Sequence, residues 1–209
     1  MILDGALGTM IQDYNLEEKD FRNADLAHHE GQLKGNNDVL NITRPDLILD
    51  IHRRYLAAGA DLIETNTFSS QIISQADYQL EHLSRPMALA GAKLARKAAD
   101  EFSTPQWPRF VCGSVGPTNK TCSMSPDVSD AAARDITYDQ LFDAYREQVG
   151  ALIEGGVDAI LIETIFDTLN AKAAIDATIT EMQMQGVDLP IMLSMTVSDL
   201  AGQIGRAHV

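Results

Sequence analysis

Three acidic residues each follow a short apolar run: Asp4, Glu64 and Glu163. A carboxylate at the end of a buried strand is costly unless it has a partner. For Glu64 and Glu163 that partner is either a Lys or Arg of the same chain or a cationic ligand group, such as the ammonium of an amino acid. For Asp4 the pattern is equally consistent with a ligand contact and with the capping of a turn.

Glycine and hydroxyl residues stand beside these acids. Gly5 next to Asp4 allows backbone N–H groups to approach a bound anion closely. The segment 113–119, GSVGPTN, runs from an apolar strand into a glycine-and-proline turn whose hydroxyl and amide groups suit a polar ligand, although a plain loop fits equally well. It lacks the Lys-Ser/Thr ending of a P-loop, which argues against nucleotide phosphate binding.

Several classes of function are disfavoured. The formal net charge of −14 argues against a nucleic-acid partner. Cys112 and Cys122 are the only cysteines, lie ten residues apart and have no second Cys or His nearby, so they form no metal signature and no disulfide framework. No apolar run reaches the roughly 18 residues of a membrane span, and no secretory signal is recognisable. We therefore expect a cytoplasmic protein without membrane contact.

Apolar runs and amphipathic segments alternate along the chain. Continuous apolar runs predict buried parallel strands over residues 2–5, 61–65, 109–115, 158–164 and 190–197. Helical periodicity predicts helices over residues 45–58, 84–101, 138–154 and 167–185. Candidate helix signals are Ser84 as an N-cap, Thr137 with Gln140 as a capping box, and glycines at 59, 155 and 186 as stops.

This alternation predicts an α/β fold with a parallel sheet. A doubly wound sheet and a (β/α)8 barrel both remain possible, but the first turn lacks a G-x-G-x-x-G fingerprint. Segments 58–65 and 155–164 also repeat one design, glycine then Asp then an apolar strand ending in Glu-Thr, which favours a barrel of βα units. The long connections 6–44, 66–83 and 116–136 follow strands, where functional loops of such folds lie.

Longer segments are more specific: LDGALGTMIQDYNL, LKGNNDVLNITRPDLI, AAGADLIETNTFSS, ADYQLE, GSVGPTNKTCSMSPDV, LIETIFDTLNAKAA and LPIMLSMTVSD. In this order they resemble the homocysteine-binding methyltransferase domain of the cobalamin-dependent methionine synthase family, from residue 2 to about residue 202. The resemblance implies that residues 1–203 form about the first five βα units of a (β/α)8 TIM barrel. It also implies methyl transfer from methylcobalamin to homocysteine, giving methionine.

The resemblance also implies a metal site that this chain does not supply. In the family, three cysteines hold a zinc ion that binds the homocysteine sulfur. One cysteine stands in an Asn-Cys motif and two in a Gly-Gly-Cys-Cys motif, and neither motif occurs here. We therefore expect no catalytic residue and no metal ligand within the chain. Zinc and methylcobalamin would be cofactors of a full-length parent, and folate and cobalamin modules would be partners within it.

Substrate-binding residues carry over from the family by position. The resemblance implies that Asp4, Gly5 and Glu163 hold the amino-acid end of homocysteine, with Glu163 at the ammonium. The further residues implied at the same mouth are Gly8, Thr9, Asn66, Thr67 and Ser114.

Two other functions stay open. One is a cobalamin-independent relative that uses betaine or S-methylmethionine, although GNNDVLNITRP and SPDVSD resemble the cobalamin type more closely. The other is a non-catalytic fragment that binds an amino acid. The final residues 204–209, IGRAHV, match the translation of a common sequencing adapter, so we expect a non-native tail there and a fragment that is marginally stable and inactive alone.

Overall fold

The computed structural model describes residues 1–127 and 129–196. Within these residues the chain is an α/β protein with a four-stranded parallel sheet in the order β1-β2-β3-β4. The strands are β1 Leu62–Glu64, β2 Phe110–Val115, β3 Ala159–Ile165 and β4 Ile191–Met195. The α-helices are α1 Leu7–Gln12, α2 Leu40–Thr43, α3 Pro45–Ala57, α4 Ile72–Gln75, α5 Ser84–Phe102, α6 Tyr138–Glu154 and α7 Thr168–Gln185. Short 3-10 turns span Glu18–Phe21, Asn37–Val39, Ala76–Tyr78 and Glu81–Leu83.

The four long helices match their predicted positions, and most of their end signals are confirmed. At α6 the Thr137 side chain accepts from the Gln140 N–H and the Gln140 side chain accepts from the Thr137 N–H, which is the predicted capping box. Helix α7 stops at Gly186 in the left-handed conformation. The prediction for Ser84 is wrong: it is the first residue of α5 rather than its cap, and its hydroxyl is buried without a partner among the described residues.

The first predicted strand is shorter than expected. Residues 2–5 lie beside β1, where the Ile2 carbonyl accepts from the Leu62 N–H and the Asp4 N–H donates to the Leu62 carbonyl, but only Leu3 forms a regular bridge. The chain turns into α1 immediately afterwards, so the ladder has no room to extend.

The last predicted strand is present from Ile191, while Val197 and the predicted tail 204–209 lie outside the described residues.

The helices cover one face of the sheet. Alternate strand residues such as Ile63, Val111 and Ile160 pack in the main core with apolar side chains of α3, α5, α6 and α7. The residues between them, including Leu62 and Cys112, form a separate small cluster without any helical member. The sequential strand order with the four long helices on one face differs from a doubly wound fold, which places helices on both faces.

Apolar side chains are exposed at the β4 side of the sheet. Leu193 is 54% and Met195 is 62% exposed, and Met184 of α7 is 66% exposed. These side chains lie where a further βα unit would pack in a barrel. In the described part of the chain, no helix is both long and apolar enough to cross a membrane.

The long connection after the first strand forms its own core. Its buried members include Leu33, Val39 and Leu40, all fully buried, and they pack with α3 and α5. This packing holds residues 36–41 against the strand ends. The connection is therefore a structured part of the fold rather than a polar surface insertion.

Gly91 of α5 sits where this connection meets the end of β1. A Cβ at Gly91 would lie 2.6 Å from Thr67 Cγ2 and 2.7 Å from Asn41 Nδ2. Both neighbours are buried and hydrogen-bonded, so neither can move aside cheaply.

We expect Gly91→Ala to destabilise the protein by about 1–3 kcal/mol, because overpacking outweighs the gain in helix propensity. Gly150→Ala in α6 is the matched control, since its new Cβ would meet only side-chain ends of Glu181 and Gln185. That control should be neutral or stabilising. Urea unfolding of both variants measures the difference, and equal stability of the two would contradict this packing account.

Candidate substrate-binding site

A cavity of about 910 Å³ opens at the carboxyl ends of the strands. Its walls come from the three long connections that follow the first strand, β1 and β2, together with the strand ends themselves. The acidic lining residues are Asp38, Glu64, Asp77, Asp135 and Glu163. Among the described residues no Lys, Arg or His lines it. The cavity therefore favours a cationic or neutral ligand group.

Three carboxylates lie close together where the strand ends meet this cavity. Glu64 and Glu163 are lining residues, and both carboxylate oxygens of Asp4 accept from the Glu64 backbone N–H at 3.1 Å. No Lys or Arg of the described chain forms an ion pair with any of the three. The internal salt bridge considered for Glu64 and Glu163 is thus not observed in this part of the chain.

The protonation of this cluster reflects burial and mutual repulsion. Burial, with a contribution from the charge of Glu64, raises the pKa of Asp4 to about 8. Burial and the charge of Glu163 raise the pKa of Glu64 to about 7. Burial also raises the pKa of Glu163, opposed by the hydrogen bond from Ser114. A cation brought into the cluster would stabilise the ionised forms.

A β-bulge begins at Glu163. In the ladder between β3 and β4, Ile162 pairs with Leu193 and Ile165 pairs with Met195. Two residues of β3 therefore lie opposite a single residue of β4. Thr164 within the bulge has φ of +58°, which is unusual for a β-branched residue and marks local strain. Glu163 keeps the inward direction of Leu161 while the chain after it turns away.

Hydroxyl groups connect the ends of β1, β2 and β3. The Ser114 N–H donates to Thr65 Oγ1 at 2.9 Å, and the Ser114 hydroxyl donates to the Glu163 carboxylate. Thr67 Oγ1 donates to the Ser114 carbonyl at 2.7 Å. The sequence GSVG thus supplies a hydroxyl that fixes the Glu163 carboxylate within the cavity.

The predicted binding residues separate into two groups. Gly8, Asn66, Ser114 and Glu163 line the cavity. The others do not line it: Asp4 accepts from the Glu64 backbone N–H, Gly5 lies beside the Tyr55 ring, Thr9 is exposed on α1, and Thr67 is fully buried in the hydroxyl network.

Sequence reasoning missed a further polar network in the cavity wall. Asp38 is buried, accepts from the Ser69 N–H and the Ser70 hydroxyl, and has its pKa raised to about 6 by burial. Asn36 and Gln75 are hydrogen-bonded to each other across the same two connections. The GNND motif belongs to a segment that carries the family resemblance, but nothing in its spacing showed that it bonds to residues more than thirty positions away.

The residues present do not fit a zinc thiolate site. In residues 1–127 and 129–196 no group of three His, Cys, Asp or Glu side chains is placed to hold a metal ion. Cys112 lies at the cavity side of β2, but burial first of all raises the pKa of its thiol to about 12, so it stays protonated. Cys122 is buried elsewhere, with its thiol donating to the Ile136 carbonyl. Neither cysteine is therefore suited to bind zinc as a thiolate.

The fold and the cavity define an α/β protein with a small-molecule site at the carboxyl ends of parallel strands. The chain belongs to the homocysteine S-methyltransferase family, whose model matches residues 1–207.

Similar solved structures agree on the fold. The homocysteine methyltransferase MmuM from Escherichia coli superposes in its oxidised form with a TM-score of 0.68 at 20% identity, covering 95% of this chain and 63% of that chain. Its metallated form gives 0.68 at 22% identity, covering 95% and 64%. Its apo form gives 0.63 at 21% identity, covering 98% and 64%. The chain thus spans less than two thirds of the length of these structures.

The carboxylate cluster predicts a specific pH dependence of stability. Folding keeps a proton on Glu64 at pH values where the unfolded chain has released it, so the free energy of unfolding falls as pH rises from about 4.5 to about 7. Glu64→Gln removes this contribution and also one source of repulsion on Asp4. The variant should therefore gain stability relative to wild type as pH rises.

Melting temperatures of wild type and Glu64→Gln at about pH 5 and about pH 8 measure this difference. Glu147→Gln, on the exposed side of α6, is the control and should follow wild type. Parallel curves for wild type and Glu64→Gln would show that the three carboxylates are not coupled as described.

Proposed function

We propose that this chain forms the homocysteine-binding part of a methyltransferase that makes methionine. Glu163 supports the proposal most directly: it is a shielded carboxylate in the cavity, with no cationic partner in the described residues and with its orientation fixed by Ser114. The ammonium group of an amino acid supplies the missing positive charge. Membership of the homocysteine S-methyltransferase family supports homocysteine as that amino acid.

In this proposal the chain binds and orients the substrate. Glu163 accepts hydrogen bonds from the ammonium, and Ser114 holds the Glu163 carboxylate in place. Asp4 and Glu64 add negative potential beside it. Since no basic residue lines the described cavity, the substrate carboxylate would be met by backbone N–H groups and hydroxyls.

We propose that the parent protein takes its methyl group from methylcobalamin, as the segments GNNDVLNITRP and SPDVSD suggest. Betaine or S-methylmethionine are the alternative donors, and the acidic cavity accepts either a neutral or a cationic donor group. Zinc would make the homocysteine thiol nucleophilic, with its cysteine ligands outside the described residues. The parent would also carry folate and cobalamin modules.

We likewise propose that the sheet is the first part of a (β/α)8 barrel. The sequential strand order, the helices on one face only and the exposed apolar side chains of β4 all suit further βα units beyond β4. A barrel places the carboxyl ends of all its strands around one mouth. The cavity described above would then be one side of that mouth.

Glu163→Gln tests the ammonium contact. In the full-length protein, the variant should bind L-homocysteine about 30-fold more weakly or worse, because a shielded charge pair is lost. It should bind 4-mercaptobutanoate, which lacks the amino group, as well as wild type does. Isothermal titration calorimetry with both ligands measures the two effects separately.

Glu181→Gln is the matched control, because the Glu181 side chain is 12% exposed and pairs with Arg146 away from the cavity. It should leave both affinities unchanged. Equal weakening of both ligands by Glu163→Gln would mean that Glu163 maintains the structure rather than binding the ammonium.

A further inference from the structure

Helix α6 buries two polar side chains beneath the cavity. Tyr145 is 2% exposed and Gln148 is 1% exposed, and their spacing of three residues places them on the same face of the helix. Their helical neighbours on this face, such as Leu141 and Leu152, are apolar core residues. A buried phenol and a buried amide within an apolar core are costly unless they make hydrogen bonds.

Gln148 reaches the carbonyl groups at the ends of β1 and β2. Its Nε2 donates to the Thr67 carbonyl at 2.6 Å and lies 3.4 Å from the Ser114 carbonyl. The Thr67 carbonyl lies beyond the last residue of β1, and besides Gln148 it accepts from the Ser70 N–H at 3.1 Å. The Gln148 Oε1 has no hydrogen-bond partner among the described residues, so the side chain acts here as a donor only.

Tyr145 forms a hydrogen bond with the loop that follows β2. Its hydroxyl donates to the Gly116 carbonyl at 3.3 Å, and the Gly116 N–H donates to the Phe68 carbonyl at 3.0 Å. A Cβ at Gly116 would lie 2.5 Å from that Phe68 oxygen, so the two loop backbones are in direct contact. The pair on α6 therefore supports both loops at the point where they touch.

We propose that Gln148 and Tyr145 are positioning residues for homocysteine binding, acting through the loop ends that carry Ser114 and, through its hydroxyl, the Glu163 carboxylate. The inference rests on the proposed function. Neither side chain lines the large cavity, so neither touches the substrate. Gln148 holds the Thr67 carbonyl and lies 3.4 Å from the Ser114 carbonyl, and Tyr145 holds the Gly116 carbonyl two residues further on. The Ser114 hydroxyl transmits the position of this segment to Glu163.

The test compares Gln148→Met and Tyr145→Phe in the full-length protein. Both changes preserve side-chain size and remove the donor. Gln148→Met should raise the Kd and KM for L-homocysteine about tenfold, and Tyr145→Phe should raise them less, about threefold. The KM for the methyl donor should stay within about twofold of wild type, which uniform loss of structure would not produce.

Thr178→Val is the matched control. Thr178 is fully buried, and its hydroxyl donates only to the Ala174 carbonyl of its own helix, so the change also removes one buried hydrogen bond. It should leave the homocysteine KM unchanged. Amide hydrogen exchange without ligand provides an independent measurement, and residues 66–70 and 113–118 should exchange faster in Gln148→Met than in Thr178→Val.

These measurements distinguish a failure of the proposed function from a failure of the positioning role. If wild type does not bind homocysteine, the proposed function fails, while the exchange rates still decide whether α6 holds the two loops. If Gln148→Met leaves both the exchange of the two loops and the homocysteine KM at wild-type values, the positioning role is wrong. A parallel rise in the KM of both substrates would also overturn it.

Discussion

A carboxylate held at the end of a parallel strand, with no counter-charge among residues 1–127 and 129–196, is the constraint around which this part of the chain is organised. Burial of Glu163 disfavours its ionised form, the charge of Glu163 raises the pKa of Glu64, and the charge of Glu64 raises the pKa of Asp4. Such an arrangement weakens the folded state on its own. A cationic ligand group bound beside these carboxylates would offset that destabilisation.

The remaining structure can be understood as support for that cluster. Strand alternation directs Glu163 inward like Leu161, and the β3 bulge with the positive φ of Thr164 returns Ile165 to the helical core. Hydroxyls of Ser114 and Thr67 join the strand ends laterally, and Gln148 of α6 supports them from the helical side. Each of these contacts joins elements far apart in sequence, so the site forms only after the sheet and its helices have assembled.

The sequence predicted the periodic parts of the fold well. The four long helices were predictable because their apolar spacing and end signals agree, and α6 with its Thr137 capping box is the clearest case. The strand at residues 2–5 was overestimated, since four residues in an apolar run do not show where a ladder stops. Ser84 failed as a cap because a hydroxyl at a helix start can equally well occupy the first helical position.

The site was predictable where a motif ends a strand. Glu163 and Ser114 were found in this way, and both line the cavity. The roles of Thr67 and Gln148 could not be assigned from spacing. Thr67 is buried in the hydroxyl network rather than lining the cavity, and Gln148 has the same sequence context as any polar residue of an amphipathic helix. Pairing across 81 positions depends on tertiary packing, which local patterns do not encode.

The most direct test of this account is a crystal structure of the full-length protein with L-homocysteine bound. The account predicts the ligand nitrogen within about 3 Å of the Glu163 carboxylate, with the Ser114 hydroxyl still on the same carboxylate. A ligand whose ammonium lies away from Glu163, or a Glu163 paired with a Lys or Arg of the protein, would contradict it.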